Sequence, residues 1–321
     1  MGAVHVGAYA KLPGVELAAV CANSDRALSG DLGGVGGNLG RSGAVHDFSR
    51  VAKYKDWREF VADPDLDAID ICLPTDLHAE IATAALNAGK HVLCEKPMAL
   101  TPGDCETMLH AAESAGRVLM IGHVLRFWPE YIYLHQFVTG GEYGRIRSAT
   151  FVRRAGLPQW SPWLTDEKRS GGAIVDMLLH DIDQVLLLFG SPARIAAKPI
   201  GGPDTASATF LYESGPEVRV QGGWFAPETP FSMSFHVRAD RAELIFGPDG
   251  LRLNDIHGKS TAPVLDTADA YEAQLGYFVE CCSAGKQPER CLPRDSMRAV
   301  ELALLVRQSR CEGGERLKCS V

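Results

Sequence analysis

Short runs of Val, Ile and Leu alternate with helical stretches over the first 124 residues, at 15–21, 68–73, 91–94 and 118–122. Each run is apolar on both faces rather than alternating, the pattern of a strand covered by helices on two sides. Between them Thr101 and Pro102 read as an N-cap and first helical residue, and Gly89 and Gly116 stand where left-handed C-cap residues belong. The pattern predicts an α/β unit over 1–124, a doubly wound parallel sheet between helices. After Phe127 the texture changes. A helix over 129–138 leads into a strand over 145–154, and 172–189 reads as one long amphipathic helix stopped by Gly190. Strand pairs follow, with turns at Ser214-Gly215, Ala239-Asp240 and Pro248-Asp249-Gly250, and helices over 271–283 and 294–309 close the chain. The second domain, 125–321, is therefore predicted to be α+β, with a large, mainly antiparallel open sheet.

A chain of 321 residues is long enough for two domains of ordinary size. Its 32 basic and 40 acidic residues include no Lys/Arg-rich run, which excludes the electrostatic footprint of a nucleic-acid or anionic-membrane binder. No apolar run is long enough to span a membrane. Nine cysteines are scattered without a CxxC pair, the pattern of reduced thiols, and a cytoplasmic protein is expected. A small neutral or hydroxylated ligand suits this composition. The stretch 29–43, with seven glycines, reads as a surface insertion or as a substrate- or subunit-contact loop.

Three ordered motifs change the picture: Cys94, Glu95, Lys96 and Pro97; then Gly122, His123, Val124, Leu125, Arg126 and Phe127; then Gly171, Gly172, Ala173, Ile174, Val175, Asp176, Met177, Leu178, Leu179 and His180. Pro74, Thr75 and His78 precede them. With these motifs the chain, from Gly2 to about Ser309, resembles the glucose-fructose oxidoreductase / inositol dehydrogenase / MocA family. The resemblance implies a Rossmann domain followed by an α+β substrate domain, NAD or NADP as cofactor, and hydride transfer to or from a hydroxyl carbon of a sugar, inositol or related polyol. It also implies a homodimer or homotetramer, for which an apolar outer sheet face around 206–220 would supply the contact. Two alternatives stay open: a cofactor-poor binding or regulatory homologue, and an NAD-dependent glycoside hydrolase of the same fold.

Oxidising a secondary alcohol needs a base for the hydroxyl proton and a cation for the alkoxide-like oxygen. By the resemblance His180 is the proton acceptor, Asp176 orients it and touches substrate, and Lys96 contacts nicotinamide ribose and substrate oxygen. Asp176 and His180 are four apart, which on an α-helix puts them on one face. They could also ligate a metal, but no third ligand completes the set, and no metal is expected. Gly2, Asn23, Pro74, Thr75, His78, Glu95, Lys96 and Pro97 are expected on the cofactor. Arg126 and Trp163 are expected on the substrate wall, with a structural ion pair an equal reading for Arg126 and a hydrophobic anchor the alternative for Trp163.

Two features depart from the family pattern. Of the G-x-G-x-x-G fingerprint only the last glycine remains, as Gly2, and the first strand has no counterpart; a genuine start upstream of Met1 is expected, with roughly 8 to 12 further residues rich in Val and Ile. No acid stands at the tip of the second strand, where Ala22, Asn23, Ser24, Asp25 and Arg26 follow Cys21. Asn23, Ser24 and Arg26 would tolerate a ribose 2'-phosphate, and Asp25 is expected to cap the next helix.

Overall fold

A computed structural model of the chain describes residues 1–33 and 320 backwards to 44, so most of the Gly-rich stretch 29–43 lies outside the described residues. The chain divides into two compact units, 1–124 with 268–297, and 125–267 with 298–321. The stretch 268–297, placed in the second domain by the sequence, thus packs with the first. Its helix Ala270–Ala284 lies against the opening helix Gly2–Tyr9.

The first unit contains strands β1 (Ala19–Cys21), β2 (Ala52–Tyr54), β3 (Ala68–Ile71), β4 (His91–Cys94) and β5 (Leu119–Ile121). All pair in parallel, but in two separate sheets, β1-β2 and β3-β4-β5. Val92, Leu93, Cys94, Leu119, Met120 and Ile121 are wholly buried, as strands covered on both faces must be. The helix His78–Asn87 presents Ile81, Ala82, Ala85 and Leu86 as its buried stripe. Thr101 caps the helix Pro102–Ala115, its hydroxyl accepting from the Asp104 N–H at 3.2 Å, and Gly116 ends it at φ 62°. Among the described residues no strand lies between β1 and β3. Both border a cavity of about 860 Å³, walled also by Gly2, His5 and Tyr9.

The second unit is built on a nine-stranded sheet. Its strands are β6 (Ile146–Gly156), β7 (Arg194–Lys198), β8 (Asp204–Leu211), β9 (Glu217–Phe225), β10 (Ser232–Ala239), β11 (Ala242–Gly247), β12 (Gly250–Asp255), β13 (Ser260–Thr261) and β14 (Leu317–Lys318). The order is β13-β12-β11-β10-β6-β9-β8-β7-β14, with β6 and β9 parallel and the other neighbours antiparallel. Ala149, Phe151, Ala206, Ala208, Phe210, Val218, Val220, Phe235 and Val237 are buried. The alternate positions Thr150, Ser207, Thr209, Arg219, Gln221 and His236 are half-buried or exposed. This corrects the expected apolar outer face: the two-residue period sends the Ala and Val side chains of 206–220 inward and leaves polar ones outside. Gly222, at φ 150°, lets β6 approach closely, since a Cβ there would stand 1.7 Å from the Arg153 carbonyl oxygen.

The helix expected over 172–189 is two segments. Ile174–Leu178 forms a π-turn and Leu179–Phe189 an α-helix, which Gly190 ends at φ 71°. An inserted π-turn is invisible to a period of 3.6 residues, and such turns recur at functional sites.

Candidate active site

In the first unit the expected cofactor residues gather beyond the carboxyl ends of the strands, where doubly wound sheets bind ligands. Gly2 opens the first helix beside Cys72, where a Cβ would meet the Cys72 Cβ at an ordinary contact distance of 3.7 Å. Asn23 is exposed just past β1. Arg26 is engaged rather than open: its guanidinium donates to Asp31 at 2.8 and 3.1 Å and to the Gly33 carbonyl at 2.6 Å. Asp25 is not the cap; Ser24 holds that position and Asp25 pairs with Lys55 at 2.7 Å.

Past β3, Pro74 precedes a single turn Thr75–Leu77 without a side-chain cap. His78 is fully buried, with Nδ1 2.7 Å from the Pro97 carbonyl and Nε2 2.9 Å from that of Leu73. It therefore ties the segment after β3 to the Lys96-Pro97 segment after β4. Burial, the largest influence, holds its pKa below the ordinary histidine value. Glu95 is buried too, and although burial favours its neutral form, His5 and Lys96 bring its pKa below the usual carboxylate value. The Lys96 N–H donates to Glu95 Oε2 at 3.2 Å, and the Lys96–Pro97 peptide is cis. Gly122 at the end of β5 leaves room for this carboxylate, since a Cβ there would lie 2.9 Å from Glu95 Oε1.

Sequence reasoning missed His5, 3.2 Å from Glu95 through Nε2, and Gln274, beside Gly122. Neither carries a sequence signal, because 90 and 179 positions separate them from Glu95. The residues fit a nicotinamide dinucleotide: the Thr75 hydroxyl and both amide atoms of Gln274 are buried without a hydrogen-bond partner among the described residues, so polar groups await a ligand or water.

In the second unit Gly171 and Gly172, at φ 78° and 75°, turn the chain into the helix carrying Asp176 and His180. Asp204 of β8 accepts from the Ala173 N–H at 2.6 Å, satisfying an opening donor of that helix. Asp176 lies in the π-turn and His180 in the first turn of the α-helix, both half-buried between buried neighbours. The two acids just after His180 are clamped from different elements. Arg153 of β6 donates to Asp181 at 2.8 and 3.1 Å, and Arg126 donates to Asp183 at 3.0 and 2.6 Å, all four groups buried. Arg126 thus takes the ion-pair reading left open for it. Trp163, half-buried, packs against Ala155, Leu164, Ala173, Met177 and Trp224, next to the start of the Asp176 segment.

The family description "Oxidoreductase family, NAD-binding Rossmann fold" matches residues 1–123, and the GFO/IDH/MocA C-terminal domain matches 131–245. A 1,5-anhydro-D-fructose reductase of Ensifer adhaerens is 32% identical over 247 residues, covering 72% of this chain and 73% of that protein. A D-xylose 1-dehydrogenase (NADP(+)) of Haloferax volcanii is 27% identical over 90% of this chain and 89% of its own length. Among solved structures, the aldose-aldose oxidoreductase from Caulobacter crescentus, complexed with glycerol, superposes with a TM-score of 0.82 at 22% identity, covering 98% of this chain and 95% of that one. The chain belongs to the Gfo/Idh/MocA family of oxidoreductases, with an NAD-binding Rossmann domain and a C-terminal domain on a large, mostly antiparallel sheet. No helix among the described residues is long and apolar enough to cross a membrane.

Proposed function

We propose that this protein is a dehydrogenase or reductase that moves a hydride between a nicotinamide and a hydroxyl or carbonyl carbon of a sugar, inositol or related polyol. The observation that carries the reading is the His180 helix. Two buried pairs, Arg153–Asp181 and Arg126–Asp183, hold the helix backbone that carries His180. His180 takes the hydroxyl proton on oxidation and returns one on reduction, while the Asp176 carboxylate orients the ring and accepts a substrate hydroxyl. Lys96, held after β4 by its backbone bond to Glu95, contributes a positive charge to the nicotinamide ribose and the substrate oxygen. Trp163 offers an aromatic face to a sugar ring. When bound, the dinucleotide supplies the hydride-accepting ring; Gly2, Asn23, Pro74, Thr75, His78, Glu95, Lys96 and Pro97 would hold it.

The relatives support this substrate class, being named for an anhydrofructose and for xylose. NAD and NADP are both retained as cofactors, since Asn23 stands where neither an acid nor a free cation decides between them. A screen of sugars and polyols with each cofactor, followed at the reduced nicotinamide absorbance, tests the reading. Turnover with a member of this class is expected; none with any member would overturn it.

The assembly reading is a homodimer or homotetramer in the cytoplasm. The outer face of the open sheet, where Thr150, Ser207, Thr209, Arg219 and Gln221 stand, would supply the contact with a second copy, and all nine cysteines are unpaired. Light scattering is expected to give two or four times 34.7 kDa; a monomer at micromolar concentration would contradict it.

A further inference from the structure

The cavity bordered by β1 and β3 carries a cluster of side chains that hydride transfer does not use. His5 stands on the helix Gly2–Tyr9; Asp70 lies on β3 and Cys72 follows it, on the face opposite the buried Ile69 and Ile71. His5 Nδ1 lies 2.7 Å from Asp70 Oδ2 and 3.4 Å from Cys72 Sγ, and the sulfur lies 3.5 Å from Asp70 Oδ1. We propose that His5, Asp70 and Cys72 form a three-ligand site for a divalent ion of intermediate softness, zinc above all, with a fourth position open to the cavity.

The spacing suits such an ion. With bonds of about 2.0 to 2.3 Å to nitrogen, oxygen and sulfur, tetrahedral ligand atoms stand about 3.3 to 3.7 Å apart. Both distances to Cys72 Sγ fall in that range. The shorter His5–Asp70 contact is a hydrogen bond whose proton the ion displaces. One nitrogen, one oxygen and one sulfur make a donor set that selects zinc over magnesium or calcium, which prefer oxygen alone.

The surroundings suit it as well. His5 is 2% exposed, so its ring is fixed by packing. Its other nitrogen, Nε2, is 3.2 Å from Glu95 Oε1, and the Tyr9 hydroxyl hydrogen-bonds to Asp70. A carboxylate behind a ligating histidine and a donor behind a ligating carboxylate are the contacts that orient metal ligands and raise their basicity. All three ligand residues border the cavity of about 860 Å³, so the fourth donor would come from whatever group occupies it. Asp176 and His180 belong to the other unit and are not among these ligands.

The test uses the full chain, treated with chelator and titrated with Co²⁺ as a spectroscopic substitute for Zn²⁺. One cobalt per chain is expected, with a near-ultraviolet sulfur-to-cobalt charge-transfer band and the visible bands of a four-coordinate ion, all erased by zinc. Cys72→Ser is expected to abolish the charge-transfer band and weaken zinc binding at least about 100-fold, whereas Cys282→Ser, at another thiol on the same cavity, leaves both intact. Glu95→Gln is expected to keep the band and lose about 10- to 100-fold in affinity. Cobalt uptake without the sulfur band, or an unchanged band in Cys72→Ser, would overturn the site. Should Cys72→Ser not fold, protection of Cys72 from alkylation by zinc in the unaltered protein decides the matter, and equal labelling with and without zinc overturns it.

Discussion

Asp183 accepts two hydrogen bonds from Arg126, at 2.6 and 3.0 Å, with side chains only 1% and 3% exposed. The pair joins the turn Val124–Phe127 to the helix Leu179–Phe189, three residues beyond His180. A buried ion pair adds little over well-packed apolar residues, but removing one partner strands the other charge away from water. Asp183→Asn or Arg126→Met is therefore expected to cost about 3 to 5 kcal/mol in denaturant unfolding, with the double replacement Arg126→Met and Asp183→Leu costing less than either. Single variants as stable as the unaltered chain would show that the pair does not hold this helix.

Turnover tests the roles proposed for Lys96, Asp176 and His180. His180→Ala and Lys96→Ala are each expected to lower kcat by roughly two to four orders of magnitude with the melting temperature little changed, because both side chains are only half-buried. Asp176→Asn is expected to lose less, since the amide still fills the space and hydrogen-bonds. Near-normal turnover in His180→Ala or Lys96→Ala, with a verified substrate, would remove that residue from the mechanism.

Asp240 gives the expected pH dependence of stability. The Arg145 N–H at 2.9 Å is the largest influence holding its carboxyl below the ordinary 3.8, followed by the Arg147 guanidinium at 2.5 Å. A carboxylate with a depressed folded pKa contributes stability that is present above its unfolded value and lost as pH falls through the folded one. Asp240→Asn is thus expected to lower the melting temperature at neutral pH, with the gap closing on acidification below about 3.8. A gap of constant size down to the acid transition would show that the effect does not come from the ionised Asp240 carboxylate.

Much of this architecture was legible wherever the determining signal is local. The runs that became β3, β4 and β5 are apolar on both faces, and Thr101, Gly116 and Gly190 mark helix ends by their own side chains or lack of one. What depends on distant partners was not legible. Neither Arg126–Asp183 nor Arg153–Asp181 follows from a spacing, and His5 meets Asp70 across 65 positions. The strand β2 escaped notice because its three residues are largely exposed and carry no two-sided apolar run. The outer face of the large sheet differs from the expectation because Ala206 and Val220 alternate with Ser207 and Arg219, a period that sends the apolar side chains inward.

For the site, the motifs named Lys96, Asp176 and His180, but not what positions them. The π-turn at Ile174–Leu178 and the two arginine clamps come from tertiary packing, and no period in the sequence announces them.

Hydride transfer itself is most directly tested with a polyol or sugar deuterated at the reacting carbon, incubated with the protein and oxidised NAD or NADP. Mass spectrometry of the reduced cofactor is expected to show one deuterium per molecule formed with the unaltered protein, and the same labelled product formed roughly two to four orders of magnitude more slowly with His180→Ala. Reduced cofactor lacking deuterium, or none formed from any sugar or polyol offered, would contradict direct hydride transfer by this protein.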